Sequence, residues 1–203
     1  MHIGIAGNIG SGKTTLTRML SEHYGWIPKY EAVTQNPYIE DYYSDILRWS
    51  FNMEVYFLTQ RFKDILEIAR SEDTVIQDRT ILEGVYVFTA NNRDMGNISE
   101  RDFSTYMDLF HAMMSVVRMP DLLIYLKSSI PHLVSQIQKR GREYEKSISI
   151  EYLTGLNTRY EEWISGYKGD ILTIDADNLD FENRPEDFAY ITDLIDARLF
   201  GLF

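Results

Sequence analysis

The sequence predicts an α/β protein, one domain built on a five-stranded parallel sheet with helices over both faces. Three observations carry this reading. Five short apolar runs, at 2–6, 26–31, 74–78, 121–126 and 170–175, alternate with longer stretches of helical spacing. The run Asp-Leu-Leu-Ile-Tyr-Leu at 121–126 is continuously apolar after its first residue, the pattern of a strand buried on both faces. No repeat, low-complexity tract or linker interrupts the 203 residues, a length that suits a single domain over 1–203.

Taken in order, His2-Ile3-Gly4-Ile5-Ala6 is a strand closed by Gly7, and 13–24 is a helix with Leu16, Met19, Leu20 and His23 near one face. A second strand is expected over 26–31. Residues 37–70 are mostly helical, with Leu58, Phe62, Ile65, Leu66 and Ala69 at helical spacing in the second half. After the strand at 74–78 a helix runs from Thr80 to Ala90, and Asn91 to Asn97 reads as a polar loop. Ser99 with Asp102 marks a helix start. That helix carries Phe103, Tyr106, Phe110, Met113 and Val117, with Leu109, Ala112 and Val116 as a second apolar strip. Beyond the strand at 121–126 come a helix at 131–139, a charged loop at 140–146, a helix at 149–167, the strand at 170–175 and a last helix at 185–199.

Charge narrows the function. Lys and Arg total 20 against 31 Asp and Glu, a net charge of −11, which excludes general affinity for nucleic-acid polymers. An anionic ligand must therefore be met by a local cluster of cations. Cysteine is absent, so disulfides, thiolate metal sites and cysteine nucleophiles are excluded. No run approaches the 18 apolar residues of a membrane span, and no targeting segment is visible; a cytoplasmic protein without a membrane partner is expected.

Gly7-Asn8-Ile9-Gly10-Ser11-Gly12-Lys13-Thr14 matches the phosphate-binding loop G-x-x-x-x-G-K-[ST], placed between an apolar strand and a helix as that motif requires. The glycines let successive N–H groups turn toward an anion, and the helix N-terminus adds its dipole. Lys13 can reach the outer phosphates, and the Thr14 hydroxyl can hold Mg²⁺. A nucleoside triphosphate is the implied ligand. Glu31 ends the second strand, at the sheet edge where open parallel sheets bind ligands, and could take a proton from an attacking hydroxyl. Read alone, Glu31 fits a solvated loop acid as well. Asp78-Arg79-Thr80 ends the third strand at the same edge. Asp78 can bind Mg²⁺ and Arg79 can bridge phosphates, with a strand-end ion pair as the competing reading. The run from Lys139 through Arg140 and Arg142 to Lys146 suits either a lid closing on phosphates, over about 139–146, or a solvated charged loop. The histidines at 2, 23, 111 and 132 lack metal-ligand spacing, and Met113, Met114 and Met119 read as core or interface.

In combination these segments are more specific. Gly-Asn-Ile-Gly-Ser-Gly-Lys-Thr-Thr at 7–15, Tyr-Glu-Ala-Val at 30–33, Asp-Arg-Thr at 78–80 and Arg-Gly-Arg-Glu-Tyr-Glu at 140–145 come in the order and approximate spacing of deoxynucleoside kinases. The chain resembles the deoxycytidine, deoxyguanosine and deoxyadenosine kinase family, and within it the compact bacterial members that act on purine deoxynucleosides. The resemblance runs from the first strand to 175–181 and implies a P-loop kinase fold with a lid. It implies that Glu31 is the base for the deoxyribose 5′-hydroxyl, that Arg79 stands beside that hydroxyl, and that Asp78 lies near Mg²⁺. Tyr43 and Glu145 would share the sugar 3′-hydroxyl. Phe88 would stack on the base, with Arg61 near the base edge. The ATP phosphates would meet residues 7–15, Thr15 included, together with Arg140 and Arg142. Asp180 and Phe181 would lie at the adenine of ATP. Three positions depart from the pattern: Glu54 replaces a base-reading glutamine, Gly84 an aspartate close to Arg61, and Gln136 a lid arginine.

The reading that follows is an ATP- and Mg²⁺-dependent 5′-kinase of a purine deoxynucleoside, serving nucleotide salvage. A nucleoside monophosphate kinase and a nucleotide-dependent switch without a small acceptor are the alternatives. The base stays open: an ionised Glu54 could accept from guanine N1–H and the 2-amino group, whereas a protonated Glu54, or Arg61 as donor, would suit adenine. Gly84 is expected to leave room that favours a purine. Two helices, around 54–70 and 103–117, carry more apolar surface than one sheet face needs, and a homodimer is expected.

Overall fold

The computed structural model describes residues 1–31, 36–142 and 148–201. Five strands, β1 (His2–Gly7), β2 (Ile27–Lys29), β3 (Val75–Asp78), β4 (Leu122–Lys127) and β5 (Ile171–Asp175), form one parallel sheet in the order β2-β3-β1-β4-β5. Ile5 pairs with Asp78 on one side and with Ile124 on the other, so β1 and β3 end at the same edge. β1 is central, flanked by β3 on one side and β4 on the other. The crevice beyond the carboxyl ends of such strands is where open α/β sheets bind ligands.

Side chains alternate between two cores. Ile3, Ile5, Leu122, Ile124 and Leu126 pack with α1 (Lys13–Tyr24) and α9 (Pro185–Phe200) through Leu16, Leu20, Ile191 and Ile195. Ala6, Leu123 and Tyr125 turn to the other face, against α3 (Ile46–Ile68), α6 (Glu100–Met114) and α8 (Ile150–Ser165). Both faces of the sheet are therefore covered. Serine caps start three helices: Ser99, Ser129 and Ser149 accept from the N–H groups of Asp102, His132 and Tyr152 and open α6, α7 (Ile130–Arg140) and α8. Among the described residues, no helix is long and apolar enough to cross a membrane.

Four expectations need correction. β2 spans only Ile27–Lys29, so Glu31 lies past the strand on the connection beyond it. The helical stretch after Pro37 is broken at Asp45, which ends α2 (Ile39–Ser44) and caps α3 by accepting from Arg48 N–H. Residues 91–97 are not all loop: α4 (Ile81–Glu83) runs through a π-helical stretch, Gly84–Thr89, into α5 (Ala90–Asp94). Asn91 and Asn92 are buried there, and Asn92 Nδ2 donates to Glu54 Oε1 at 2.9 Å, so their polarity serves the interior. The broad apolar surface of α6 is divided. Tyr106 and Phe110 pack inward, while Leu109 and, just beyond the helix, Val116 stay exposed.

Candidate active site

The loop 7–14 carries the chain from β1 into α1. Gly12 holds φ 92, and a Cβ there would meet the Phe181 ring at 2.8 Å, so both conformation and packing require glycine. Lys13 Nζ donates to the carbonyls of Gly7 (2.7 Å) and Asn8 (2.9 Å). Burial pushes this ammonium down to about 8, and nearby Arg79 adds to the shift. A buried cation held by carbonyl oxygens has much to gain from a phosphate oxygen. Asn8 shapes the loop: its Oδ1 accepts from Ile9 N–H (2.7 Å), and its Nδ2 donates to the Leu153 carbonyl (3.1 Å) and Asn157 Oδ1 (2.6 Å) on α8. The Ser11 hydroxyl is buried with no hydrogen-bond partner among the described residues. Thr14 and Thr15 stand in the first turn of α1, and Thr14 Oγ1 donates to Asp78 Oδ2 at 2.5 Å. These two oxygens beside the Lys13 ammonium are hard donors of the kind Mg²⁺ takes. Among the described residues no cluster of three His, Cys, Asp or Glu forms a metal site by itself, so Mg²⁺ here would also lean on the phosphates.

Glu31 lies between two arginines. Arg61 Nη2 donates to its Oε1, and Arg79 Nε forms an ion pair with its Oε2 at 3.1 Å. Burial works to raise the Glu31 pKa, but the charges of Arg79 and Arg61 override it and hold the carboxyl below its ordinary value. Arg79 has φ 71, a conformation that costs a non-glycine residue about 1–2 kcal/mol. Its guanidinium sits 4.2 Å over the Phe88 ring. The space expected at Gly84 is not open to a base. A Cβ on Gly84 would collide with Arg61 Nη1, so the missing side chain makes room for the guanidinium that reaches Glu31.

One cavity of about 590 Å³ joins these parts. It is lined by Gly10, Lys13 and Thr14 of the loop, by Arg140 and Arg142, and by Glu31, Arg79 and Asp78. The far end closes on Tyr42, Tyr43, Met53, Glu54, Phe88 and Tyr152. Glu54 is buried: Oε1 is met by Asn92 and Oε2 lies 3.0 Å from Thr89 Oγ1. Burial raises its pKa to about 7. Asp180 and Phe181 do not line the cavity. Phe181 is buried under Gly12, and Asp180, exposed beside it, accepts from Asn183 Nδ2 (2.8 Å). Glu145 falls outside the described residues.

Residue types and spacing do not single out Thr89, Asn92, Tyr152, Glu83 or Tyr160. Only Glu83 has a local signal: Thr80-x-x-Glu83 has capping-box spacing, and Glu83 Oε2 does accept from Thr80 N–H at 2.8 Å.

Comparison with known proteins agrees with this geometry. Residues 3–199 match the family model described as deoxynucleoside kinase. The chain is 38% identical over 196 residues to a deoxyadenosine/deoxycytidine kinase of Bacillus subtilis (strain 168), covering 95% of this chain and 90% of that protein. It is 34% identical over 206 residues to a deoxyguanosine kinase of the same organism, covering 95% and 97%. A solved structure of deoxyadenosine kinase from M. mycoides, with products dCMP and a flexible dCDP bound, superposes with a TM-score of 0.86 at 34% identity over 97% of this chain and all of that one. A phosphate loop, a carboxylate between two arginines and a match over nearly the whole length place this chain, an enzyme with the P-loop kinase fold, in the deoxynucleoside kinase family.

Proposed function

We propose that this kinase transfers the γ-phosphoryl group of ATP to the 5′-hydroxyl of a purine deoxynucleoside, in nucleotide salvage. The observation that carries this reading is the continuity of the cavity: a phosphate loop at one end, a half-buried carboxylate midway, and an aromatic pocket with a buried acid at the other end. Glu31, ionised at neutral pH, accepts the 5′-hydroxyl proton as the oxygen attacks. Arg79 holds that carboxylate and is within reach of the transferring group. Lys13, Arg140 and Arg142 offset the phosphate charge, and Thr14 and Asp78 would hold Mg²⁺. The metal neutralises charge on the phosphate oxygens when bound. The rest of the catalysis is positioning. Both arginines in the middle of the cavity are committed to Glu31, and the far end holds tyrosines and an acid. That lining suits a neutral hydroxyl acceptor better than a nucleoside monophosphate. Tyr43 stands in that far end, toward the sugar, and Phe88 offers its ring to the base.

Glu54 gives the base preference a chemical form. Thr89 Oγ1 lies 2.8 Å from the Gly84 carbonyl as well as 3.0 Å from Glu54. The single Thr89 proton serves one of these acceptors at a time, and burial favours a proton on Glu54 that is left for a ligand. A protonated carboxyl offers one donor and one acceptor, the complement of adenine N1 and its 6-amino group. Arg61, the other candidate donor, is engaged with Glu31. The reading is therefore deoxyadenosine first, with deoxyguanosine favoured as Glu54 ionises. Cytosine N3 and its 4-amino group present the same edge pattern as adenine, which favours deoxycytidine as a second acceptor. One of the B. subtilis relatives is named for that pair. The test is kcat/KM for the four natural deoxynucleosides at pH 6 and pH 8.5. The ratio of deoxyadenosine to deoxyguanosine should fall by about tenfold or more as Glu54 ionises, and Glu54→Gln should abolish that pH dependence. A ratio independent of pH removes Glu54 from base reading. Thymidine or deoxycytidine exceeding both purines by about tenfold overturns the purine assignment.

A further inference from the structure

Glu83 is fully buried and does not line the cavity, yet its carboxyl joins three parts of the site. Oε2 accepts from Thr80 N–H (2.8 Å). Oε1 accepts from Gly7 N–H (3.2 Å) and from the Tyr160 hydroxyl (2.8 Å). Tyr160 Oη is also 2.7 Å from the Gly7 carbonyl, the oxygen that Lys13 Nζ holds. The peptide groups flanking Gly7 Cα are thus held at both ends, at the N–H by Glu83 and at the carbonyl by Lys13, with the single Tyr160 proton shared between Glu83 Oε1 and that carbonyl. On the other side, the N–H of Arg79 donates to the Ile5 carbonyl (3.0 Å) while the next N–H, of Thr80, goes to Glu83. Two consecutive N–H groups therefore fix the unfavourable turn that aims Arg79 at Glu31. A buried carboxyl is a costly way to fill space, since an apolar side chain would pack there without desolvation.

We propose that Glu83, braced by Tyr160, is a positioning residue for phosphoryl transfer, setting the distance between the phosphate loop and the Asp78–Thr80 turn. It touches neither donor nor acceptor. It acts through Gly7 and Arg79, and so fixes Lys13 relative to the Glu31–Arg79 pair. The proposal rests on the 5′-kinase reading above. It makes Glu83 a residue of kcat, because ground-state binding of either substrate does not require the two halves to be in register.

Glu83→Gln preserves shape but sets an amide –NH₂ against a donor, so one arm of the bridge is lost whichever way the amide turns. With deoxyadenosine and ATP saturating, kcat should fall about 10- to 100-fold, while the deoxyadenosine KM and the ATP Kd stay within about threefold. Far-UV circular dichroism at the assay temperature should match wild type. Tyr160→Phe removes only the hydroxyl and should lower kcat about three- to tenfold; combined with Glu83→Gln, the losses should be less than multiplicative. If Glu83→Gln does not fold, Tyr160→Phe decides the matter. A kcat within about twofold of wild type in the folded variant, or an effect confined to melting temperature, overturns the proposal. A wild-type enzyme that phosphorylates no deoxynucleoside overturns the 5′-kinase reading and the proposal with it.

Discussion

Glu31 is held by Arg61 on one oxygen and Arg79 on the other, and this decides what its replacement does. Glu31→Gln keeps the size and removes the proposed base. Its kcat should fall by about 10²- to 10⁴-fold with ATP affinity unchanged, as read by calorimetry and steady-state kinetics. Retention of more than about a tenth of wild-type kcat would exclude Glu31 as the base. Lys13→Ala should instead weaken ATP binding and turnover together, because the proposed role of Lys13 is to meet the phosphates; unchanged affinity and rate would remove the loop from the reaction. Residues 7–14 and Asp78-Arg79 are legible in the sequence because each task demands particular residue types at a set spacing. Glu83 is not legible as a bridge. Its partners Gly7 and Tyr160 are 76 and 77 residues away, and no spacing rule encodes a contact between β1 and α8.

The segment from α4 to α5 carries two consequences. A Cβ on Gly84 would meet Arg61 Nη1, the far end of a flexible side chain, so Gly84→Ala should move the guanidinium and leave the backbone in place. The displaced guanidinium gives up its hydrogen bond to Glu31. We expect kcat to drop about tenfold while the melting temperature moves by no more than about 3 °C, measured by kinetics and thermal denaturation; an unchanged kcat would contradict this. Glu54 sets a pH dependence of stability. Its folded pKa of about 7 exceeds its ordinary 4.5, so between these values the folded state keeps a proton that the unfolded chain has released. The stability this contributes is full below pH 4.5 and is lost as pH rises through 7, leaving a deficit of about 3 kcal/mol above it. Glu54→Gln should therefore gain stability over wild type at pH 8 and little at pH 5, as read from urea unfolding at both values. An equal change at the two would refute it. The same segment shows why residues 91–97 mislead a sequence reading. Asparagines mark turns when read locally, and only the π-helical stretch before them, with Glu54 awaiting a donor, turns Asn92 inward.

At the scale of the whole molecule, the five strands and the covering of both faces are legible because run length and helical period are local properties. The order β2-β3-β1-β4-β5 is not local: it emerges when the β1–β2 connection passes over β3 and the β3–β4 connection passes over β1, and it brings Gly7, Glu31 and Asp78 to one edge. Leu109 and Val116 remain exposed beside the half-buried Met107, Met113 and Met114, an apolar strip that a second copy would cover. Sedimentation at micromolar concentration should show a species near twice the 23.8 kDa chain mass, and a monomer would contradict the dimer. The most direct test of the central claim is ADP formation from ATP by the wild-type enzyme with deoxyadenosine, with deoxyguanosine, with their 5′-monophosphates, and with no acceptor. A deoxynucleoside 5′-kinase forms ADP with the deoxynucleosides, matched mole for mole by the 5′-monophosphate, and only background with the rest. ADP formed as fast with the monophosphates, or with no acceptor at all, would contradict it.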